Sequence, residues 1–234
     1  MASTHPDRQG AGDPTGAANA FEQLLKDRLR VRGPDHPETL ATRHNLASWR
    51  GEAGDPTGAA NAFEQLLTDQ LRVSGTYHPT TLLARDNLAH WRGKAGDPTG
   101  AANAFEQLLT DYLRVFGPDH PDTLHARHGL ADWRGEAGDP TGAANALEQL
   151  LTDYLRVLGP DHPRTLQARH SLARWRGEAG DPTGAANALE QLLTDHLRVL
   201  GPDHPRTLQA RHSLAQWQRR AREASAQPAE PQRP

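Results

Sequence analysis

The sequence repeats itself with a period of 42 residues. The segment GDPTGAANA occurs five times without a change, and five tryptophans recur at the same interval. One unit of this length cannot bury the apolar faces of its own elements, so tandem units are expected to stack and share their cores. The period therefore predicts a solenoid of small units rather than one globular core. The tryptophans, which are expected to belong to that core, are Trp49, Trp91, Trp133, Trp175 and Trp217.

Each unit carries the start and stop signals of two helices. In the first complete unit, one helix starts at Pro37 and ends at Gly54. The next helix has Asp55 as its N-cap and Pro56 as its first residue, and it ends at Gly75. Proline suits the first helical turn, aspartate the N-cap and glycine the C-terminal stop. Because nothing alternates with strand periodicity and the connections are short, the chain is predicted to be all-α.

The charge and composition of the chain exclude several classes of protein. It has 29 acidic against 26 basic residues, so no basic surplus favours nucleic acid as a partner. No apolar run approaches the roughly 18 residues of a spanning helix, and the opening MASTHPDRQG lacks the apolar centre of a signal peptide. The absence of cysteine excludes disulfides, thiol nucleophiles and thiolate metal sites. We expect a soluble, cytoplasmic protein that binds neither nucleic acid nor a membrane.

The repeated unit resembles the tetratricopeptide repeat (TPR). In residues 45–67, that family's packing positions are filled by Leu46, Ala47, Gly54, Asp55, Ala59, Phe63 and Leu66. The 42-residue length and the linker Gly-Pro-Asp-His-Pro at 117–121 are similar to the longer kinesin-light-chain variety, which is common in actinobacterial proteins. The resemblance implies a right-handed superhelical solenoid of antiparallel helix pairs that acts as a non-catalytic protein-interaction scaffold.

The resemblance also divides the chain into repeats and ends. Residues 12–222 are predicted to form a single solenoid, in which a lone cap helix stands at each end of four full repeats. Charged residues such as Arg28 and Arg219 replace residues of the internal copies and are expected to make the end helices polar caps. Residues 1–11 and 223–234 are predicted to be disordered tails. The predicted segments are the cap helix 14–31, the repeats 37–73, 79–115, 121–157 and 163–199, and the cap helix 205–222.

Positions that differ between the copies are the candidate ligand contacts, because the packing positions hardly change within this chain. They lie on the arc of the first helices opposite the apolar arc, and the resemblance implies that this arc lines a concave groove for a partner peptide or helix. The family often uses asparagine at the position of Asn45 and Asn87 to hold the ligand's backbone. Solvated helix faces under weak constraint are the alternative interpretation. The candidate groove residues are His44, Asn45, Ser48, Leu83, Asp86, Asn87, His90, His125, His128, Asp132, Gln167, His170, Arg174, Gln209, His212 and Gln216.

The 13 histidines do not predict a metal site or an active site. His125 and His128 lie at i and i+3 on one helix, where two side chains could share a divalent ion, but this spacing supplies no further ligand. Ser171 and Ser213 follow histidines directly, and adjacent helical residues point about 100° apart, so neither pair is a nucleophile with its base. No catalytic residue, metal or cofactor is predicted. A helix-starting role accounts for the histidines that precede proline, namely His36, His78, His120, His162 and His204.

Two functions follow from these observations. The first is a scaffold that binds a partner protein or peptide in the groove. The alternative is weak self-association, in which near-identical repeats present matching stacking faces and one molecule's end accepts another's. The charged residues of the end helices favour the first function over the second.

Overall fold

The computed structural model describes residues 13–226, which form ten α-helices without a strand. The predicted all-α fold of tandem helix pairs is confirmed. In chain order the helices are α1 (Pro14–Arg32), α2 (Pro37–Glu52), α3 (Pro56–Ser74), α4 (Pro79–Lys94), α5 (Pro98–Phe116), α6 (Pro121–Glu136), α7 (Pro140–Leu158), α8 (Pro163–Glu178), α9 (Pro182–Val199) and α10 (Pro205–Ala226). We call α2, α4, α6, α8 and α10 the first helices, and the others the second helices.

The end of α10 differs from the prediction. The last helix continues to Ala226, so residues 223–226 are helical rather than part of a disordered tail. The internal first helices end before a glycine with positive φ, such as Gly180 at +102°. In α10 that position is Arg222, which favours a continued helix over a left-handed stop. The other predicted tail residues, 1–11 and 227–234, lie outside the described part of the chain.

Aspartate caps begin the second helices. The Asp55 carboxylate accepts a hydrogen bond from the Gly58 N–H at 2.8 Å, and Asp97 and Gly100 repeat this contact at the same distance. A β-carbon on Gly58 would collide with the Asp55 carboxylate, so the glycine makes room for the cap. This capping is the local reason why the repeated segment GDPTG starts a helix.

The chain divides into two compact units, Met1–Trp133 and Arg134–Pro234, which we call the N-terminal unit and the C-terminal unit. Within the N-terminal unit each helix packs on the next, from α1 on α2 to α4 on α5. Within the C-terminal unit α7 packs on α8, α8 on α9, and α9 on α10. No helix of the described residues is long and apolar enough to cross a membrane.

Tryptophans of the first helices pack on glycines. A β-carbon on Gly93 would lie 2.5 Å from the Trp133 ring, and one on Gly135 would lie 2.6 Å from the Trp175 ring. Trp91, Trp133, Trp175 and Trp217 are buried, so their predicted place in the core is confirmed.

The first copy of this contact lies between α2 and α4. Gly51 of α2 is buried beneath the Trp91 ring of α4. Trp49 is only half-buried, because no first helix before α2 lies within the described residues.

Candidate functional site

The first helices of the N-terminal unit lie beside one another and present one polar surface. The His90 ring of α4 contacts the Trp133 ring of α6 edge-on, with the ring centroids 5.7 Å apart. His125 of α6 lies 4.0 Å from the Asp86 carboxylate of α4. We call this surface the N-terminal face. It is made of the predicted residues His44, Asn45, Ser48, Leu83, Asp86, Asn87, His90, His125, His128 and Asp132.

Three of these residues are buried rather than exposed. Asp86 is 5% exposed, Asn87 1% and His128 4%, whereas the prediction placed all three on an open groove wall. The helical arc was drawn for one helix alone, and the neighbouring first helix covers part of it. The prediction of exposure is therefore wrong for Asp86, Asn87 and His128. The other seven predicted residues of the face are exposed or half-buried.

The two asparagines have different environments. The Asn87 side-chain N–H donates to the carbonyl of Leu83 at 2.9 Å, one turn earlier in the same helix. Asn45 is exposed on α2. The Asn45 side chain is therefore accessible for the implied role of holding a ligand's backbone. The Asn87 amide is hydrogen-bonded within its own helix.

Carboxylates and imidazoles are interleaved at the centre of the face. The His128 ring lies 3.2 Å from the Asp132 carboxylate one turn later in α6, and His125 lies beside Asp86. Among the described residues, no three His, Cys, Asp or Glu side chains are grouped so that they could hold a metal ion. The face thus combines two acidic groups with aromatic rings and with the half-buried Leu83.

The predicted residues of the C-terminal unit have a different chemistry. The His170 ring of α8 lies 3.2 Å from the Ser213 hydroxyl of α10. The Arg174 guanidinium binds Glu136 at 2.7 Å and covers the Trp175 ring at 4.2 Å. The remaining predicted residues there are exposed and polar, namely Gln167, Gln209, His212 and Gln216. This face carries amides, imidazoles and a guanidinium in place of the paired carboxylates of the N-terminal face.

Ion pairs join α2 to α3, α4 to α5 and α8 to α9. Arg43 binds Asp69 at 2.6 Å, and Arg169 binds Asp195 at the same distance. The hydrogen bond from Arg169 is the main reason that the pKa of the Asp195 carboxyl lies below its usual value. Sequence reasoning missed these pairs, although their constant spacing of 26 residues was a readable signal.

One buried titratable group was also missed. His196 of α9 is 2% exposed. Burial is the main reason that the pKa of His196 is lowered to about 4, and the nearby charges of His170 and Arg206 act in the same direction. The burial of His196 could have been predicted from the 42-residue period, because the equivalent residues Tyr112 and Tyr154 are buried in their own repeats.

Comparisons with known proteins agree with this architecture. A tetratricopeptide repeat family model matches residues 7–72 and 80–156, and a second model of the same description matches residues 165–206. No curated protein sequence matches the chain.

Several solved structures are similar. A Podosopora anserina putative kinesin light chain with nearly identical TPR-like repeats is 26% identical, with a TM-score of 0.62, and the match covers 80% of this chain and 89% of that one. BtubC (BKLC) from P. vanneervenii is 14% identical with a TM-score of 0.65, covering 96% and 97% of the two chains. A Rap protein solved in complex with Competence and Sporulation Factor is 13% identical with a TM-score of 0.53, covering 90% of this chain and 58% of the Rap chain.

Proposed function

Because this chain belongs to the tetratricopeptide repeat family, in its 42-residue kinesin-light-chain-like variety, we propose that it is a non-catalytic scaffold that binds a segment of a partner protein on the N-terminal face. Proteins of this family generally mediate protein–protein interactions. The observation that carries the proposal is the contrast within the chain: packing residues repeat nearly unchanged, while the residues of the N-terminal face differ from copy to copy.

The chemistry of the face defines the kind of segment it fits. Asp132 is half-buried beside His128, so a cation placed there is attracted by a carboxylate that is partly shielded from water. Leu83 and the His90 ring offer apolar contact one helix away. We therefore propose a partner segment that carries a basic side chain next to an apolar one.

A relative of the same fold was solved with a bound factor. The Rap protein was crystallised with Competence and Sporulation Factor, and its likeness to this chain concerns the fold alone. Its complex supports the proposal only to the extent that this helical architecture can hold a ligand.

A selection from a random peptide library tests the proposal. Peptides displayed on phage are selected on the whole chain, synthesised, and measured by calorimetry. We expect them to be enriched in a basic residue beside an apolar one, and we expect Asp132→Arg to weaken their binding by about tenfold or more.

Two further variants complete this test. Glu190→Arg makes the same charge change on an exposed position of α9 and is expected to leave binding unchanged. Arg174→Asp tests separately whether the C-terminal unit contributes to peptide binding. Failure to enrich any sequence, or equal binding by the Asp132→Arg and Glu190→Arg proteins, overturns the assignment of the N-terminal face.

Self-association is a second candidate, and the end helices favour it. Leu24 of α1 is 39% exposed and Leu208 of α10 is 49% exposed, although their equivalents in internal repeats are buried. The charged replacements therefore leave part of each end apolar.

A further inference from the structure

We propose that α10 of one molecule binds α1 of a second copy of this chain, forming an intermolecular helix pair of the kind found inside the chain. The inference rests on the second candidate function, self-association, and gives it a surface and residues. It does not depend on ligand binding at the N-terminal face. The contact joins two molecules: α10 belongs to the C-terminal unit of one copy, and α1 belongs to the N-terminal unit of the other.

The first face lies on α10. The first eleven residues of α10 are identical to those of α8, both reading PRTLQARHSLA. In α8, Leu166 and Ala173 are buried with Leu189 of α9 in one core cluster. In α10 the equivalent Leu208 and Ala215 are exposed. The same sequence is thus buried in α8, where a second helix covers it, and exposed in α10, which no second helix follows within residues 13–226.

The second face lies on α1. Its first twelve residues, PTGAANAFEQLL, are identical to those of α3. In α3, Phe63 and Leu66 are fully buried between residues of α2, which precedes α3, and residues of α4, which follows it. In α1 the equivalent Phe21 is half-buried and Leu24 is 39% exposed, and α1 has no buried residue. The helix therefore exposes the side that α3 packs against its first helix.

Charge complementarity sets the register of the proposed pair. Inside the chain, Arg169 of α8 binds Asp195 of α9. Arg211 is the equivalent of that arginine on α10, and Asp27 is the equivalent of that aspartate on α1. Arg211 is exposed, and the Asp27 side chain is 71% exposed. In the intermolecular pair these two residues form the same ion pair, while the apolar residues of both faces meet between the helices.

Arg219 limits how tightly the two ends associate. In each internal first helix a glycine packs against the tryptophan of the next first helix, as Gly177 packs against Trp217. At the equivalent position α10 has Arg219, and in the proposed pair the half-buried Trp49 of the second copy reaches that position. A β-carbon there collides with the ring, so association of the natural sequence is weak and Arg219→Gly strengthens it.

Sedimentation equilibrium from low micromolar to near-millimolar protein tests the proposal. We expect the average mass of the natural sequence to rise above 25.6 kDa only at the highest concentrations. We expect Arg219→Gly to associate at a concentration lower by roughly tenfold or more. Arg211→Asp and Asp27→Arg should each stay monomeric, because each places like charges at the junction. An equimolar mixture of those two variants should associate again, because opposite charges then meet.

The outcomes separate this pairing from self-association in general. A constant mass of 25.6 kDa for both the natural sequence and Arg219→Gly overturns the α10–α1 pairing and self-association in general. Association that ignores the two charge reversals, or that their mixture does not restore, overturns the pairing of α10 with α1 alone. Glu190→Arg is the matched control for Asp27→Arg and should associate like the natural sequence. Circular dichroism of each variant checks that its helices are intact.

Discussion

Histidine rings act as helix caps in this chain. The Nδ1 atom of His162 accepts a hydrogen bond from the Arg164 N–H at 3.1 Å at the start of α8, and His36 and His204 do the same at 3.2 Å at the starts of α2 and α10. An accepting Nδ1 requires a ring without a proton on that atom. Burial and the neighbouring Arg164 lower the pKa of His162 and so favour the neutral ring. The helix-starting role predicted for these histidines thus has a defined hydrogen bond.

Removal of one such cap measures its contribution. We expect His162→Ala to lower the free energy of unfolding by about 1 kcal/mol, because an amide of the first helical turn loses its acceptor. His162→Asn keeps an acceptor at the cap and should recover most of that loss. Urea titrations of the three proteins at neutral pH provide the comparison. An alanine variant as stable as the natural sequence contradicts the capping role.

The buried His196 makes stability depend on pH. Its pKa in the folded chain is about 4, against about 6.5 in an unfolded chain. Between these two values the unfolded chain binds a proton that the folded chain does not, so stability falls as the pH falls from about 7 to about 4. The loss amounts to at most about 3 kcal/mol and is complete below the folded pKa. The charged or titratable groups near His196 are His170, Arg169 and Arg206.

His196→Tyr is the matched test of this pH dependence, since Tyr154 fills the equivalent position while fully buried. Urea midpoints of the natural sequence and the variant are compared across the range from pH 7.5 to 4.5. We expect the variant to lose less stability on acidification, because tyrosine stays neutral throughout. Parallel curves for the two proteins mean that His196 does not titrate differently in the folded and unfolded chains.

At the scale of the helix, a glycine and a tryptophan determine how closely neighbouring first helices pack. Gly93 and Trp133 show the contact within the N-terminal unit, where any side chain on the glycine collides with the ring. Alanine normally favours a helix over glycine by up to about 1 kcal/mol. Overpacking of a filled core costs about 1–3 kcal/mol. The collision therefore outweighs the gain in helix propensity.

A double-mutant cycle isolates this contact. We expect Gly93→Ala to destabilise the chain by about 1–2 kcal/mol, and to cost less in a Trp133→Leu background, where the smaller side chain leaves room for the methyl group. Thermal and urea unfolding of the four proteins supplies the interaction energy. Equal costs of the alanine in both backgrounds show that the ring does not restrict this position.

The helices themselves follow from local signals, whereas the burial of their faces does not. Pro56 and Asp55 start α3, and these residue types act within one turn, so the start is readable from the sequence. Asp86 and Asn87 lie on the polar arc of their own helix but are buried. Their burial depends on the neighbouring first helix, whose distance is determined by packing rather than by the period. The other seven predicted residues of the N-terminal face remain at least partly accessible, as the arc of a single helix predicted.

At the scale of the whole molecule, the stability of each helix depends on its neighbours, because within each unit a helix packs mainly on the helices before and after it. Three copies of one second-helix segment provide an internal comparison. The segment PTGAANAFEQLL is identical at the starts of α1, α3 and α5. It includes buried residues in α3 and α5 and none in α1. Any difference in stability between these helices therefore reports on packing rather than on the sequence of this segment.

Amide hydrogen exchange measures that difference directly. We expect amides of residues 14–25 to exchange at least about tenfold faster than those of residues 98–109, because opening α1 exposes less buried surface. Residues 56–67 have the same sequence and packing on both sides, so their protection should resemble that of residues 98–109. Equal protection of all three segments means that the chain unfolds as one cooperative unit.

If the intermolecular pair of α10 and α1 forms, raising the concentration of the Arg219→Gly protein covers Phe21 and Leu24 and should slow exchange in α1 selectively. Exchange from α1 therefore reports both on the fraying of a single chain and on its pairing with a second copy.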